Sequence, residues 1–481
     1  MLPGSALLIE IWPHIAGLLT LFITVYASAH AVLNKRETHS AIAWVGVIWL
    51  VPVIGAVLYL LFGINRIRRR AKALRSDHQA SPGTTSPDYD DELPLPHHDQ
   101  FIALSRLVGK IIQKPLLHGN RIRPLRNGDT AFPEMLKAID GAERSVTLST
   151  YIFDNDGAGR LFLDSLARAV SRMVEVRVLV DAVGARYSWP PITHELHRAG
   201  IKSGRFLRTF IPWRMPFMNL RNHRKILVVD GKTGFTGGMN IREGLLLGEN
   251  PRHPLQDLHF LVQGPVVLHF QEVFAEDWLF CTGEALQGEG WFPDIEPEGP
   301  VIARGIPDGP DEDFEKLLWT VHGAIACAKS SIRITTPYFL PDSSLITSLN
   351  LAAMRGVRVE IILPSVNNLP MVKWASTDLF CQLLEKGCRI YLTPPPFDHT
   401  KLMIVDKTWT LFGSANIDPR SLRLNFEFNV ECYDNGLATD LNSLMEKKLK
   451  AAHQVTLEDV MSRRLPVRLR DGVARLFSPY M

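Results

Sequence analysis

Three rhythms of apolar and polar positions divide this chain. Residues 11–33, IWPHIAGLLTLFITVYASAHAVL, and residues 41–64, AIAWVGVIWLVPVIGAVLYLLFGI, are apolar stretches without a single Asp, Glu, Lys or Arg. Each is long enough to cross the roughly 30 Å hydrocarbon layer as a helix. Trp12, Trp44, Trp49 and Tyr59 suit the interfaces, and Pro52 is tolerable in such a helix. The pattern predicts a transmembrane hairpin with helices over about 11–33 and 41–64. Residues 76–100 are nearly devoid of apolar positions and rich in Pro, Ser and Asp, the composition of a flexible spacer. Beyond Phe101 a third rhythm sets in, in which short β-branched runs alternate with helical periods.

That third part echoes itself. A helical pattern at 132–142 leads to SVTLSTYIF, a second at 159–172 to VEVRVLVD; in the other half, patterns at 314–328 and 344–354 lead to SIRITTPYF and VRVEIILP. Strands alternating with helices predict an α/β fold, a mixed sheet flanked by helices. The expected divisions are 1–65 for the membrane helices and 66–100 for a basic, then acidic and Pro-rich linker. The first repeat follows at 101–290, and the second, with a basic amphipathic tail, at 291–481.

Each repeat ends in the same constellation. His399, Lys401 and Asp406 stand at the spacing H-x-K-x4-D and are followed by Gly413, Ser414 and Asn416; upstream, His223, Lys225, Asp230, Gly237 and Asn240 recur at the same intervals. Side chains two apart on an extended strand share a face, so each His and its Lys point the same way. Two such sets brought together suit a phosphodiester. The ammonium groups offset phosphoryl charge, one imidazole attacks, and the other protonates the leaving group. Residue types alone leave open which histidine is the nucleophile. Asp230 and Asp406, five residues beyond each Lys, close the motifs and are counted with His and Lys in the catalytic set, although their place at the far end of the strand suits a structural part, capping the next turn or pairing with a base.

The paired H-x-K-x4-D-x6-G-[ST]-x-N pattern resembles the phospholipase D superfamily, and the resemblance spans nearly all of the chain beyond the linker. The second copy fits fully, whereas the first carries Gly238 where the family usually has Ser. The resemblance implies two repeats in one pseudo-twofold body with a shared site, and His223 as nucleophile forming a phosphatidyl-histidine. It also implies a carboxylate behind each histidine, at positions matching Asp257 in QDLHFLVQG and Glu427 in NFEFNVECYD, each at a similar distance beyond its motif. The hairpin, TPYFLPD, NFEFN and the RLFSP-like end are similar to bacterial cardiolipin synthases of the phospholipase D type. That resemblance implies transfer of a phosphatidyl group between phosphatidylglycerol molecules at the bacterial inner membrane, giving cardiolipin and glycerol. A hydrolase or transphosphatidylase with another acceptor, or a nuclease, is the alternative.

Charge and composition narrow these readings. The 481 residues carry a net charge of only +3, so distribution decides more than total. Lys35 and Arg36 join the apolar stretches, and Arg66, Arg68, Arg69, Arg70, Lys72 and Arg75 follow the second, which predicts that the catalytic body faces the cytoplasm. The five cysteines form no C-x-x-C pair, no H-E-x-x-H occurs among the sixteen histidines, and there is no G-x-x-x-x-G-K-[ST] loop. No metal or other cofactor is expected; exchanging one phosphodiester for another requires no nucleotide. Arg205, Phe206, Arg208, Phe210, Trp213, Arg214 and Phe217 precede the first motif as an aromatic–basic mixture suited to a headgroup boundary. Membrane phospholipids are therefore the expected partners, and nucleic acid is not expected. The tail, with Leu465, Leu469, Val473, Leu476 and Phe477 among arginines, fits either docking on the body or contact with a membrane.

Overall fold

The computed structural model describes residues 3–35, 38–63, 99–206, 220–310 and 313–478. Arg36, the basic run from Arg66 to Arg75, nearly all of the 76–100 spacer, and Arg208, Phe210, Trp213, Arg214 and Phe217 lie outside the described residues. The chain forms two compact units, one built on the N-terminal helices and one on the remainder.

In the N-terminal unit a helix spans Pro3–Asn34, and its Ile11–Asn34 portion is long and apolar enough to cross a membrane. The second apolar stretch departs from the expected single helix. It forms Thr38–Leu50 and Pro52–Leu58, followed by a π-helical turn at Tyr59–Gly63. Pro52 causes the break: it has no N–H to donate, and its ring drives the preceding residue out of helical geometry. Val51 accordingly sits at φ −138° and ψ 77°. The pieces pack through Ala27, Ala31, Ile48, Ala56 and Tyr59, and a Cβ at Gly55 would strike the Val47 backbone. Tyr59 also bonds His30 Nδ1 at 2.8 Å, while Leu18, Phe22 and Tyr26 remain exposed on the outer face.

The second unit is the α/β body. Its first half supplies β1 (Leu117–Arg126), β2 (Ser145–Thr150), β3 (Glu175–Asp181), β4 (Lys202–Phe206), β5 (Arg221–Asn222), β6 (Ile226–Val229), β7 (Thr233–Gly237), β8 (Leu255–Gln256) and β9 (Leu258–Gln263). The second supplies β10 (Val301–Asp308), β11 (Ser331–Thr335), β12 (Arg358–Pro364), β13 (Arg389–Thr393), β14 (Phe397–Asp398), β15 (Leu402–Val405), β16 (Trp409–Gly413), β17 (Asn425–Tyr433) and β18 (His453–Val455). The halves run in the same spatial order, β4-β3-β2-β6-β7-β9-β1 and β13-β12-β11-β15-β16-β17-β10, with β18 added outside β13. Three parallel strands lead into antiparallel ones in each, so the sheet is mixed, and β1 pairs antiparallel with β10 at the seam.

Strand composition explains why the halves join. β6 and β15 are runs of Ile, Leu, Met and Val buried on both faces, as strands covered from both sides must be. One side of each packs within its own half. The other packs into a shared core, where Ile226 and Val228 meet Leu402 and Ile404. Phe260 stacks on Phe412 there with ring centroids 3.6 Å apart, and Phe270 meets Phe428 edge-on at 4.9 Å. The strands that follow the two motifs are therefore held against one another by a core common to both halves.

Candidate active site

Each His–x–Lys run ends just before its strand, β6 or β15, and does not lie within it. What fixes each histidine is a short parallel pairing with the opposite half. β5 pairs with the start of β17, and His223 N donates to Phe426 O at 2.9 Å. In mirror fashion β14 pairs with β8, and His399 N donates to Gln256 O at 2.7 Å. The next residue along each partner strand is an acid. His223 Nδ1 lies 2.9 Å from Glu427 Oε1, and His399 Nδ1 lies 2.9 Å from Asp257 Oδ2. The expectation that each acid serves the histidine of its own motif is corrected: the partners are exchanged across the seam. Parallel registration explains it, because Asn425 faces Arg221 and Phe426 faces Asn222, which brings Glu427 level with His223.

Both histidines line one cleft of about 260 Å³, together with Asn240, Asn416, Tyr151, Tyr338, Arg221 and Arg420. Tyr151 lies edge-on to His223 at 5.3 Å, and Tyr338 to His399 at 6.3 Å. Since each Nδ1–H is directed at a carboxylate, the Nε2 lone pair is left for the cleft. Burial, with Lys225 adding to it, lowers His223 to about 4 against the opposing pull of Glu427; burial and Lys401 lower His399. Both rings are thus neutral at rest, the form a nucleophile needs. Burial alone would raise Glu427, yet the adjacent His223 and Lys225 hold it below the usual carboxylate range.

Neither motif lysine is among the described residues lining the cleft. Each Nζ turns back to the carbonyl of its own histidine at 2.6 Å, and Lys401 Nζ also lies 3.0 Å from His399 Nδ1. Burial, with Lys401 adding to it against the opposing pull of Glu427, lowers Lys225 to about 7, and burial lowers Lys401 to about 8. Two desolvated ammonium groups behind two neutral imidazoles make a site that gains by accepting an anion, since an added negative charge offsets both penalties.

Asp230 and Asp406 lie away from the cleft and leave the catalytic group. Both adopt left-handed backbone, φ 52° and 51°. The Asp230 carboxylate accepts the N–H groups of Glu143, Arg144 and Ser145, and Asp406 those of Lys329, Ser330 and Ser331. They stitch the turn after each motif strand to the turn entering β2 or β11.

Gly238 has a specific reason. Ser414, its counterpart, donates to Glu427 Oε2 at 2.5 Å. A Cβ at Gly238 would overlap the Asp257 carboxylate, which occupies that space under His399. The shorter acid goes with the smaller neighbour, so Gly238 makes room for Asp257. Gly238→Ser is expected to displace the carboxylate and lower kcat by roughly 10–100-fold with little change in Tm, measured as turnover and thermal unfolding of the purified variant.

Motif spacing does not single out Tyr151, Arg221, Arg242, Tyr338, Arg420 or Asn425, which also line the cleft, although Tyr151, Tyr338 and Asn425 stand inside the runs SVTLSTYIF, TPYFLPD and NFEFN. Asn416 Nδ2 bonds Ser421, Asn240 Oδ1 accepts from Ile152 N, and Asn425 Nδ2 steadies Glu427 at 3.1 Å. Phe206 is buried against Phe280 and Phe426 and is not part of an exposed aromatic patch. Among the described residues no group of three His, Cys, Asp or Glu is placed to hold a metal ion.

The family model described as "Cardiolipin synthase, PLD-like domain" matches residues 135–278 and 321–449, and one described as "Phospholipase_D-nuclease N-terminal" matches 22–63. The cardiolipin synthase of Geobacillus kaustophilus (strain HTA426) is 33% identical over 460 residues, covering 93% of this chain and 90% of that protein. Cardiolipin synthase A of Pseudomonas fluorescens (strain SBW25) is 33% identical over 465 residues, 96% of each. Among solved structures, phosphatidylserine synthase of Haemophilus influenzae Rd KW20 shares the fold with a TM-score of 0.62 at 15% identity, over 79% of this chain and all of that one (100%).

Proposed function

We propose a reaction and its geometry on one premise: the chain belongs to the cardiolipin synthase family of phospholipase D-like proteins. It is a phosphatidyltransferase whose substrates are membrane phospholipids. The donor is phosphatidylglycerol, the acceptor a second phosphatidylglycerol, and the products cardiolipin and glycerol. The observation that carries the reading is the exchanged His–carboxylate pairing, His223 with Glu427 and His399 with Asp257, around one cleft.

In the first step His223 Nε2 attacks the donor phosphorus. The bond from phosphorus to the glycerol oxygen breaks, and His399, protonated at Nε2 when the anionic phosphodiester is bound, gives that oxygen its proton. Glu427 stabilises the charge that forms on His223. In the second step His399 takes the proton of the acceptor hydroxyl, whose oxygen attacks phosphorus, and the P–N bond to His223 breaks. Lys225 and Lys401 act from behind the rings as buried positive charge, and Asn240 and Asn416 orient the non-bridging oxygens. Exclusion of water from the intermediate separates transfer from hydrolysis.

The apolar N-terminal segments anchor the chain in the bacterial inner membrane as a multi-pass protein, and the basic residues flanking them favour a cytoplasmic body. Incubating the purified protein in vesicles with headgroup-labelled phosphatidylglycerol is expected to give cardiolipin and free labelled glycerol in equal amounts, resolved by mass. Phosphatidic acid as the sole lipid product would make the chain a hydrolase instead.

A further inference from the structure

The helix Leu465–Leu476 presents three sectors. With successive residues about 100° apart, Leu465, Leu469, Val473, Leu476 and the following Phe477 fall within an arc of about 120°. That arc is exposed: Leu465 66%, Leu469 60%, Val473 54% and Leu476 71%. The opposite sector is docked, with Asp471 and Ala474 buried. It rests on the Pro370–Leu384 helix, where Arg470 lies over Trp374 at 4.4 Å and Arg475 pairs with Asp378 at 3.0 Å. Arg464 and Arg468 line one edge of the exposed arc with exposed side chains; Arg475 on that edge is held by Asp378, and Arg470 on the other edge by Asp471. Docking therefore accounts for one sector only. A contiguous apolar ridge bordered by Arg464 and Arg468 lies outside the docked sector, and such ridges mark interaction surfaces.

We infer that this sector is an interfacial helix that lies in the headgroup–acyl boundary of an anionic bilayer. Apolar residues in one arc with arginines along its border are the pattern such helices use, the ridge entering the acyl boundary and Arg464 and Arg468 meeting lipid phosphates. A second copy of the chain is a poorer occupant. A two-fold contact through this ridge would set arginine borders against each other, and like charges oppose association. The supporting helix also ties the ridge to the chemistry. It begins immediately after Leu369, which lines the cleft, and Val366, Leu369 and Met371 are exposed there. Seating the tail helix on lipid would hold the helix that starts at the cleft rim beside the bilayer. This inference rests on the reading of the substrate as a membrane phospholipid.

The test uses the full chain in vesicles of phosphatidylglycerol and phosphatidylcholine, with photoreactive benzoylphenylalanine in place of Leu469. Irradiation is expected to yield phospholipid adducts detectable by mass; a cross-link to a second copy, or no lipid adduct, overturns the inference. A second variant, Leu469→Glu with Val473→Glu, is expected to raise the apparent KM for vesicle lipid by roughly tenfold. Its turnover on monomeric short-chain phosphatidylglycerol should equal that of the unaltered chain. Equal loss on both substrates would mark the helix as a brace and overturn the inference. Absence of product from the unaltered chain on either substrate would count against the transferase reading, while the cross-link still decides the placement of the helix.

Discussion

With His399 replaced by asparagine, and a donor carrying p-nitrophenol in place of the glycerol headgroup, the chain should release about one equivalent of p-nitrophenol per site and then stall. The activated leaving group departs without a proton, so the first step survives loss of the acid. The second step does not, because no base remains to take the acceptor proton. Phosphatidyl-histidine should then accumulate, and the mass increment should map to the peptide containing His223. His223→Asn is expected to show no burst and to lose transfer by at least ~10⁴-fold, as when a nucleophile is removed from a unit that acts together. A burst in the His223 variant, with the increment on His399, would reverse the assignment that the resemblance implies. The two pairs are nearly equivalent in geometry, with Nδ1 2.9 Å from a buried carboxylate in each, so distance alone does not distinguish them.

The second large effect concerns the exchanged acids. Glu427→Gln should lower kcat by about 10³–10⁴-fold, the scale found when the acid that fixes a catalytic imidazole becomes an amide. The physical reason is that glutamine offers His223 a wrong tautomer, and no negative charge remains to stabilise the imidazolium. A double-mutant cycle should show strong coupling between Glu427 and His223 and close to additive behaviour between Glu427 and His399 in the first, single-turnover step. Coupling of Glu427 to His399 in preference to His223 would contradict the crossed arrangement. The carboxylate is fully buried, so replacement also leaves polar atoms to satisfy. Turnover should therefore be read beside Tm, and Glu427→Asp, which keeps the charge at a shorter reach, should recover part of the rate.

Several elements follow from local chemistry alone. The β-branched runs ILVV and LMIV are buried strands β6 and β15, and the helices found at Gly157–Ser171 and Ser343–Met354 lie where the pattern placed them. Capping aspartates, Asp156 and Asp342, begin both helices through bonds to Gly159 N and Leu345 N. The second apolar stretch was legible as apolar but not as broken. Pro52 is compatible with a kinked span or with two short helices, and packing of Tyr59, Ala31 and Ile48 decides between them. Sequence placed Asp230 and Asp406 in the catalytic motif, with a strand-end position that suits a structural part; their backbone partners, some 75–87 residues away, could not be read from spacing.

Sequence by itself determined the chemistry and its duplication: two imidazole–ammonium–amide sets, an α/β repeat around each, and an apolar segment ahead of them. These are set by residue type and by periods of 2 and 3.6, which act over a few neighbours. Tertiary structure alone decided which acid stands behind which histidine, because Glu427 and His223 are 204 positions apart and Asp257 and His399 are 142 apart. It also set the lysines behind the rings and gave Gly238 its purpose beside Asp257. The register of two-residue strands across a seam arises from the shared core of Phe260, Phe412, Phe270 and Phe428, and no local pattern in either half encodes it.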